Sequence, residues 1–125
     1  IFKRAAITNI VFETFILNLS NSNKLIIVEG KKDRKALENF GIFNIVELNK
    51  NSIFVVVDFV SKENSECIIL TDLDREGKKI YGKLKTGLER NGVKIDNTFR
   101  NFLHRNTKLR NIEGLRRYVE RNLIF

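Results

Sequence analysis

Thr71-Asp72-Leu73-Asp74-Arg75-Glu76-Gly77 places three carboxylates within five residues, directly after the apolar run Cys67-Ile68-Ile69-Leu70. Read as the end of a strand, this stretch presents Asp72 and Asp74 on one side, because side chains in an extended segment alternate. Two like charges on one side repel unless a cation sits between them or one takes a proton. The chemistry that suits them is a hard divalent cation such as magnesium, which takes oxygen ligands. The plainer alternatives are a turn and N-cap role for Asp72 and Asp74, and for Glu76 a first-turn helix acid favoured by the dipole.

A second acid ends a second apolar run, where Leu25-Ile26-Ile27-Val28 leads into Glu29 and Gly30. Continuous apolar runs are typical of strands covered on both faces, as in parallel sheets. Residues 5–19 read as an amphipathic helix, with Ile7, Ile10, Val11, Thr14 and Leu17 on the helical period and Phe12, Phe15, Ile16 and Leu19 widening its apolar side. Residues 31–40 read as a short helix with Ala36, Leu37 and Phe40 inward, ended by Gly41, and residues 44–48 as a second strand. Residues 53–60 have a strand-like composition, yet Ile53, Val56, Val57 and Val60 follow the helical period and Ser52 suits an N-cap. Parallel strands need a crossover, normally a helix, so a helix is expected there.

Residues 66–71 read as the third strand and 76–91 as a helix striped by Ile80, Leu84 and Leu88. Gly82 and Gly87 each cost that helix about 1 kcal/mol relative to alanine, which close packing on the sheet is expected to explain. A short strand over 93–95 follows. Helices over 97–105 (Phe99, Phe102 and Leu103 inward) and 112–123 (Leu115, Val119 and Leu123 inward) close the chain. The alternation predicts one α/β domain over 1–125: a parallel sheet of about four strands flanked by helices. In such sheets ligands bind beyond the carboxyl ends of the strands, where Glu29 is expected to meet Asp72 and Asp74.

The 125 residues suit a single core-forming domain. No apolar run approaches the roughly 20 residues that span a bilayer. Lys3 and Arg4 precede residues 5–19, but Asn9, Glu13 and Asn18 interrupt that stretch, so no export signal is read and the cytoplasm is expected. With no methionine and Ile1 in front, the initiator is expected to lie outside the sequence. Cys67 excludes an internal disulfide and reads as a small buried hydrophobe. The net charge of +8 is uneven: residues 1–74 carry nine basic and ten acidic groups, residues 75–125 fourteen and five. A positive half beside an acidic cluster suits a phosphate polyanion. Lys108, Arg110, Arg116, Arg117 and Arg121 read equally as a solvated face or a nucleic-acid track, and His104 as a surface or phosphate-contacting residue.

Glu29-Gly30 after one strand and Asp72-x-Asp74 after another resemble the Toprim domain of topoisomerases, DnaG-type primases, OLD-type nucleases and RecR repair proteins. The run from Thr71 to Gly77, with its third acid at Glu76, is especially similar to the acidic motif of type IA topoisomerases. Val28-Glu29-Gly30-Lys31-Lys32-Asp33-Arg34 is similar to the start of the small stand-alone archaeal members. The resemblance covers about residues 24–105 and implies a single Rossmann-like Toprim domain, a compact parallel sheet with a magnesium site, with manganese as a possible substitute. It implies Glu29 as general acid or base, Asp72 and Asp74 as metal ligands, and Glu76 as their support, directly or through water. Lys78 stands where topoisomerases usually carry another acid, and these 125 residues leave no room for the toroidal domain with its nucleophilic tyrosine, so topoisomerase activity is not expected. Tyr81 and Tyr118 read as packing residues.

Metal-bound carboxylates polarise a phosphodiester and neutralise developing charge. Lys31, Lys32, Arg75, Lys78 and Lys79 are candidates to contact phosphate or nucleic acid, and Asp33 reads as a helix-start residue. Haloacid-dehalogenase phosphatases and response-regulator receivers fit less well, because both need an acidic pair after the first strand, where this chain has Glu29-Gly30. The expected function is magnesium-dependent nuclease or nucleotidyl-transfer chemistry on RNA or DNA. The alternative is a non-catalytic module that binds nucleic acid or docks in a larger repair or RNA-processing complex.

Overall fold

A computed structural model describes residues 2–115, 117, 118 and 121, with side chains described from residue 10 onward. Helix α1 (Phe2–Asn21) leads into strand β1 (Leu25–Val28), followed by α2 (Lys31–Glu38), β2 (Ile45–Glu47), α3 (Ile53–Glu63) and β3 (Glu66–Ile69). Helix α4 (Arg75–Arg90), strand β4 (Lys94–Ile95), helix α5 (Thr98–Asn106) and a 3-10 turn (Ile112–Gly114) complete it. The four strands are all parallel, in the order β2-β1-β3-β4. The expected α/β sheet is therefore observed.

Alternation along the strands divides the core between the two faces of the sheet. Ile26, Val28, Ile68 and Leu70 face a cluster built with Phe12, Phe15, Leu37, Leu103 and Ile112, from α1, α2, α5 and the 3-10 turn. Ile27, Cys67 and Ile69 face the opposite cluster of Val56, Val57, Val60, Leu84 and Leu88, from α3 and α4. Both faces are covered, which is why β1 and β3 read as unbroken apolar runs. Cys67 is fully buried, and burial pushes its thiol up to about 12, so it packs as a hydrophobe.

Helix α3 forms as expected, with the Ser52 hydroxyl accepting from the Val55 N–H at 3.2 Å and Val56, Val57 and Val60 buried. Helix α1 departs from expectation in its facing. Ile10 and Leu17 are 62% and 59% exposed, whereas Phe12, Phe15 and Leu19 are buried. The aromatic side wins because α5 offers it partners: Phe15 stacks on Phe102 at 4.7 Å between ring centroids and meets Phe99 edge-on at 5.9 Å. Ile7 lies outside the described side chains.

The glycines of α4 also differ from expectation. A Cβ on Gly87 would stand 3.0 Å from the Val57 side chain, so this glycine lets α4 approach α3 and not the sheet. A Cβ on Gly82 would meet nothing within 4 Å, so packing does not account for it. At the carboxyl end, Ile112–Gly114 forms a 3-10 turn with Ile112 and Leu115 buried, while Arg116, Val119 and Leu123 lie outside the described residues.

Candidate functional site

The sheet order turns outward in opposite directions from β1 and β3, which makes their carboxyl ends the topological switch point. Open α/β sheets bind ligands at that crevice. Glu29 follows β1 there, Asp72 and Asp74 follow β3, and α2 and α4 begin beside them. Both helix amino termini thus add partial positive charge to the same crevice.

The last rung of the β1–β3 ladder is made by a side chain. Leu70 N–H donates to the Ile27 carbonyl at 2.8 Å, but two residues on the Asp72 N–H donates to Glu29 Oε2 at 2.6 Å. The Glu29 carbonyl instead accepts from Asn49 N–H at 2.8 Å. The Glu29 carboxylate is thereby fixed across the end of β3. Asp72 Oδ1 accepts from Ile112 N–H at 2.9 Å, and Leu73 N–H donates to the Arg110 carbonyl at 2.8 Å, so the segment before the 3-10 turn straps the acidic loop. Asp74 is the N-cap of α4, its Oδ1 accepting from Gly77 N–H at 2.8 Å. The cap role weighed from the sequence is therefore real for Asp74, and it leaves the other carboxylate oxygen outside that bond.

Gly77 is dictated by geometry. A Cβ there would lie 2.0 Å from the Asp72 carbonyl oxygen, closer than any real contact. The Thr71 hydroxyl, fully buried, donates to the Gly77 carbonyl at 2.8 Å and closes the same loop.

The carboxylates act on one another. Burial, followed by the charges of Asp72, Asp33 and Asp74, pushes the Glu29 carboxyl above its ordinary value, against the opposing bond from Asp72 N–H. Burial, and then Asp74 and Glu113, raises Asp72 in the same way, opposed by the Ile112 N–H. Asp33 is raised to about 6, by burial first and then by Asp72. It is 7% exposed and accepts from Gly30 N–H at 3.0 Å, so it is both the expected helix-start residue and a member of the acidic cluster. Glu76 is exposed in the first turn of α4, and the acids that act most on Glu29 and Asp72 are others.

Arg100 is the buried neighbour of the acidic loop that the sequence reading missed. It is 7% exposed, and its guanidinium donates to the Thr71 and Asp72 carbonyls, the second at 2.9 Å. It lies 4.6 Å from the centroid of the Tyr81 ring, whose hydroxyl donates to Asn97. Burial pulls the guanidinium down, and Tyr81, Glu29 and Asp72 oppose that, so a fixed positive charge backs the acidic loop from the protein side. Its signal was an arginine between the inward-facing Phe99 and Leu103. Lys31, Lys32, Arg75, Lys78 and Lys79 are exposed on the first turns of α2 and α4, flanking the acids. His104 is exposed on α5.

These groups suit a hard divalent cation in donor chemistry. The donors are all carboxylate oxygens, and burial, followed by neighbouring charges, drives Glu29 and Asp72 toward protonation, which a cation relieves. Among the described residues, no three His, Cys, Asp or Glu side chains are already gathered as a metal-holding group. None of the described helices is long and apolar enough to cross a membrane.

The Toprim domain family model matches residues 24–105. The chain is 33% identical to the UPF0292 protein of Methanocaldococcus jannaschii over 111 residues, which covers 86% of this chain and 87% of the relative. It is 35% identical to a UPF0292 protein of Methanosarcina acetivorans over 115 residues, 87% of this chain and 80% of that one. Among solved structures, a putative protein from Aquifex aeolicus superposes with a TM-score of 0.76 and 36% identity, over 82% of this chain and 95% of that chain.

Proposed function

Because the chain belongs to the Toprim domain family, whose domains generally bind magnesium, we propose that it performs magnesium-dependent phosphodiester chemistry on RNA or DNA, as a nuclease or nucleotidyl-transfer enzyme. Residues 1–125 act in this reading as one Toprim domain. The observation that carries it is the Glu29–Asp72 junction at the switch point, where two carboxylates raised chiefly by burial stand between two helix amino termini and five exposed cations.

Asp72 and Asp74 would hold the cation, with Glu76 supporting it from the first turn of α4. When bound, magnesium (or manganese in its place) supplies a Lewis acid that neutralises charge on the phosphate. Glu29 works as the general acid or base. Oε2 is held by the Asp72 N–H, which leaves Oε1 to exchange a proton with the attacking or leaving oxygen. Its upward shift moves it toward neutrality, where proton transfer is most effective. Lys31, Lys32, Arg75, Lys78 and Lys79 bind the flanking phosphates. Arg100 fixes the Thr71–Asp72 backbone and so positions the ligand-bearing loop.

Incubation of labelled RNA and DNA with magnesium is expected to give a product that chelator abolishes. Glu29→Gln and Asp72→Asn are each expected to lower the rate by about 10²-fold or more, the lower range for a lost general acid or base. One observation favours a second reading, a non-catalytic nucleic-acid-binding or docking module. Glu29, Asp72 and Asp74 each already commit one oxygen to a backbone N–H, and among the described residues no three acids stand ready to grip a metal. That module would form no metal-dependent product, and its salt-dependent binding would survive both substitutions.

A further inference from the structure

We propose that the outward face of α4 is a phosphate track that carries a nucleic-acid strand away from the carboxylate site. The proposal deepens the function given above and rests on it for the nature of the ligand. Helix α4 buries Gly77, Leu84 and Leu88, so at 3.6 residues per turn its opposite face is centred on Arg75, Gly82 and Thr86. Lys78 and Lys85 line one side of that centre, and Lys79, Lys83 and Arg90 line the other. On that face lies a shallow furrow of about 580 Å³, with Gly82, Thr86 and Gly87 as its floor and Lys78, Lys79, Lys83 and Arg90 around it.

Two properties separate this furrow from an ordinary solvated helix face. Gly82 weakens the helix and no neighbour requires it, since a Cβ would enter open space; Gly87, by contrast, is explained by Val57. A missing side chain on an exposed face allows a ligand backbone to approach closely. Helix α4 also begins at the residue after Asp74, so a strand bound along its outward face leads back to the acidic cluster. The 16 residues of α4 extend about 24 Å, which matches roughly seven phosphates of a stacked strand at about 3.4 Å each. Glu89 is the acid that closes the far end.

Anisotropy of labelled 12-nucleotide RNA and DNA single strands in chelator, where no turnover occurs, tests the track. Gly82→Leu is expected to weaken binding about fivefold or more while raising the melting temperature, because leucine is the better helix former. The Lys83→Gln/Arg90→Gln double variant is expected to weaken binding by about tenfold and to reduce the salt slope by about 1.4, or 0.7 per lost contact. Lys50→Gln/Lys62→Gln, with the same change in net charge, is expected to bind like the parent. Parental affinity in Gly82→Leu, or equal weakening by the Lys50/Lys62 pair, would overturn the track. A lack of cleavage product together with lost binding in the furrow variants leaves the track standing and removes the catalytic reading. Metal-dependent cleavage with parental binding in those variants does the reverse.

Discussion

At the scale of single residues, the site is defined by what the acidic loop forbids and by what holds it. Gly77 faces the Asp72 carbonyl so closely that a methyl group cannot be placed without moving the loop. Gly77→Ala is therefore expected to cost about 3 kcal/mol, the upper range for overpacking, measured by denaturant unfolding. Arg100→Met should cost about 1–3 kcal/mol in the same assay, since it leaves the Thr71 and Asp72 carbonyls without their donor. Asp33 adds a pH dependence whose sign follows from its raised value. Folded Asp33 holds its proton up to about pH 6, whereas the unfolded chain releases it near 3.8, so its contribution is fully present below 3.8 and is lost as pH rises through 6. Asp33→Asn is accordingly expected to match the parent in stability at pH 3.5 and to exceed it at pH 7.5. The gain is at most about 3 kcal/mol, from roughly 1.4 kcal/mol per pH unit. Both neighbours left traces in the sequence. Asp33 falls with Ala36, Leu37 and Phe40 on the helical period, which places an acid on an apolar stripe, and Arg100 sits beside Phe99 and Leu103. An acid or arginine at such a position reads first as an exposed flank, and only the folded geometry shows which carbonyls or charges it meets.

At the scale of elements, legibility follows how many packing solutions a pattern allows. Residues 53–60 are strand-like in composition, but the spacing of Val56, Val57 and Val60 and the need for a crossover between parallel strands narrowed the choice to a helix. Ser52→Ala should remove its cap and lower stability by about 1 kcal/mol, again measured by denaturant unfolding. Helix α1 had two solutions, because apolar residues occur on most of its circumference. The choice depends on Phe99 and Phe102, more than 80 residues away in sequence, which receive Phe12 and Phe15. Local periodicity carries no information about that partner. The same limit applies to Gly87, whose reason is Val57 on another helix and not the sheet beneath.

At the scale of the whole molecule, the parallel order β2-β1-β3-β4 brings Glu29 and Asp72, 43 residues apart, to one crevice. That convergence was legible because two apolar runs each ended in an acid and parallel sheets align their carboxyl ends. The electrostatic consequence was only half legible. The sequence separates a neutral first part from a basic remainder, but it does not show that Glu29, Asp33 and Asp72 are all raised together. Each raised acid opposes folding at neutral pH, so the cation-free domain should be held below its attainable stability by its own site. Magnesium or manganese at about ten times its dissociation constant is expected to add roughly 1.4 kcal/mol, from RT ln(1 + [L]/Kd). For a chain of this length that is a rise of about 4–8 °C in melting temperature. Asp72→Asn should do two things at once. It should raise the melting temperature in chelator, because one repelling charge is gone while an amide oxygen can still accept from Ile112 N–H. It should also abolish most of the rise with metal. Differential scanning calorimetry of both proteins, with and without 5 mM metal, separates the outcomes. A parental melting temperature unmoved by either ion, together with no gain from Asp72→Asn in chelator, would mean that the acids are already satisfied by their backbone donors and that this crevice is not a cation site.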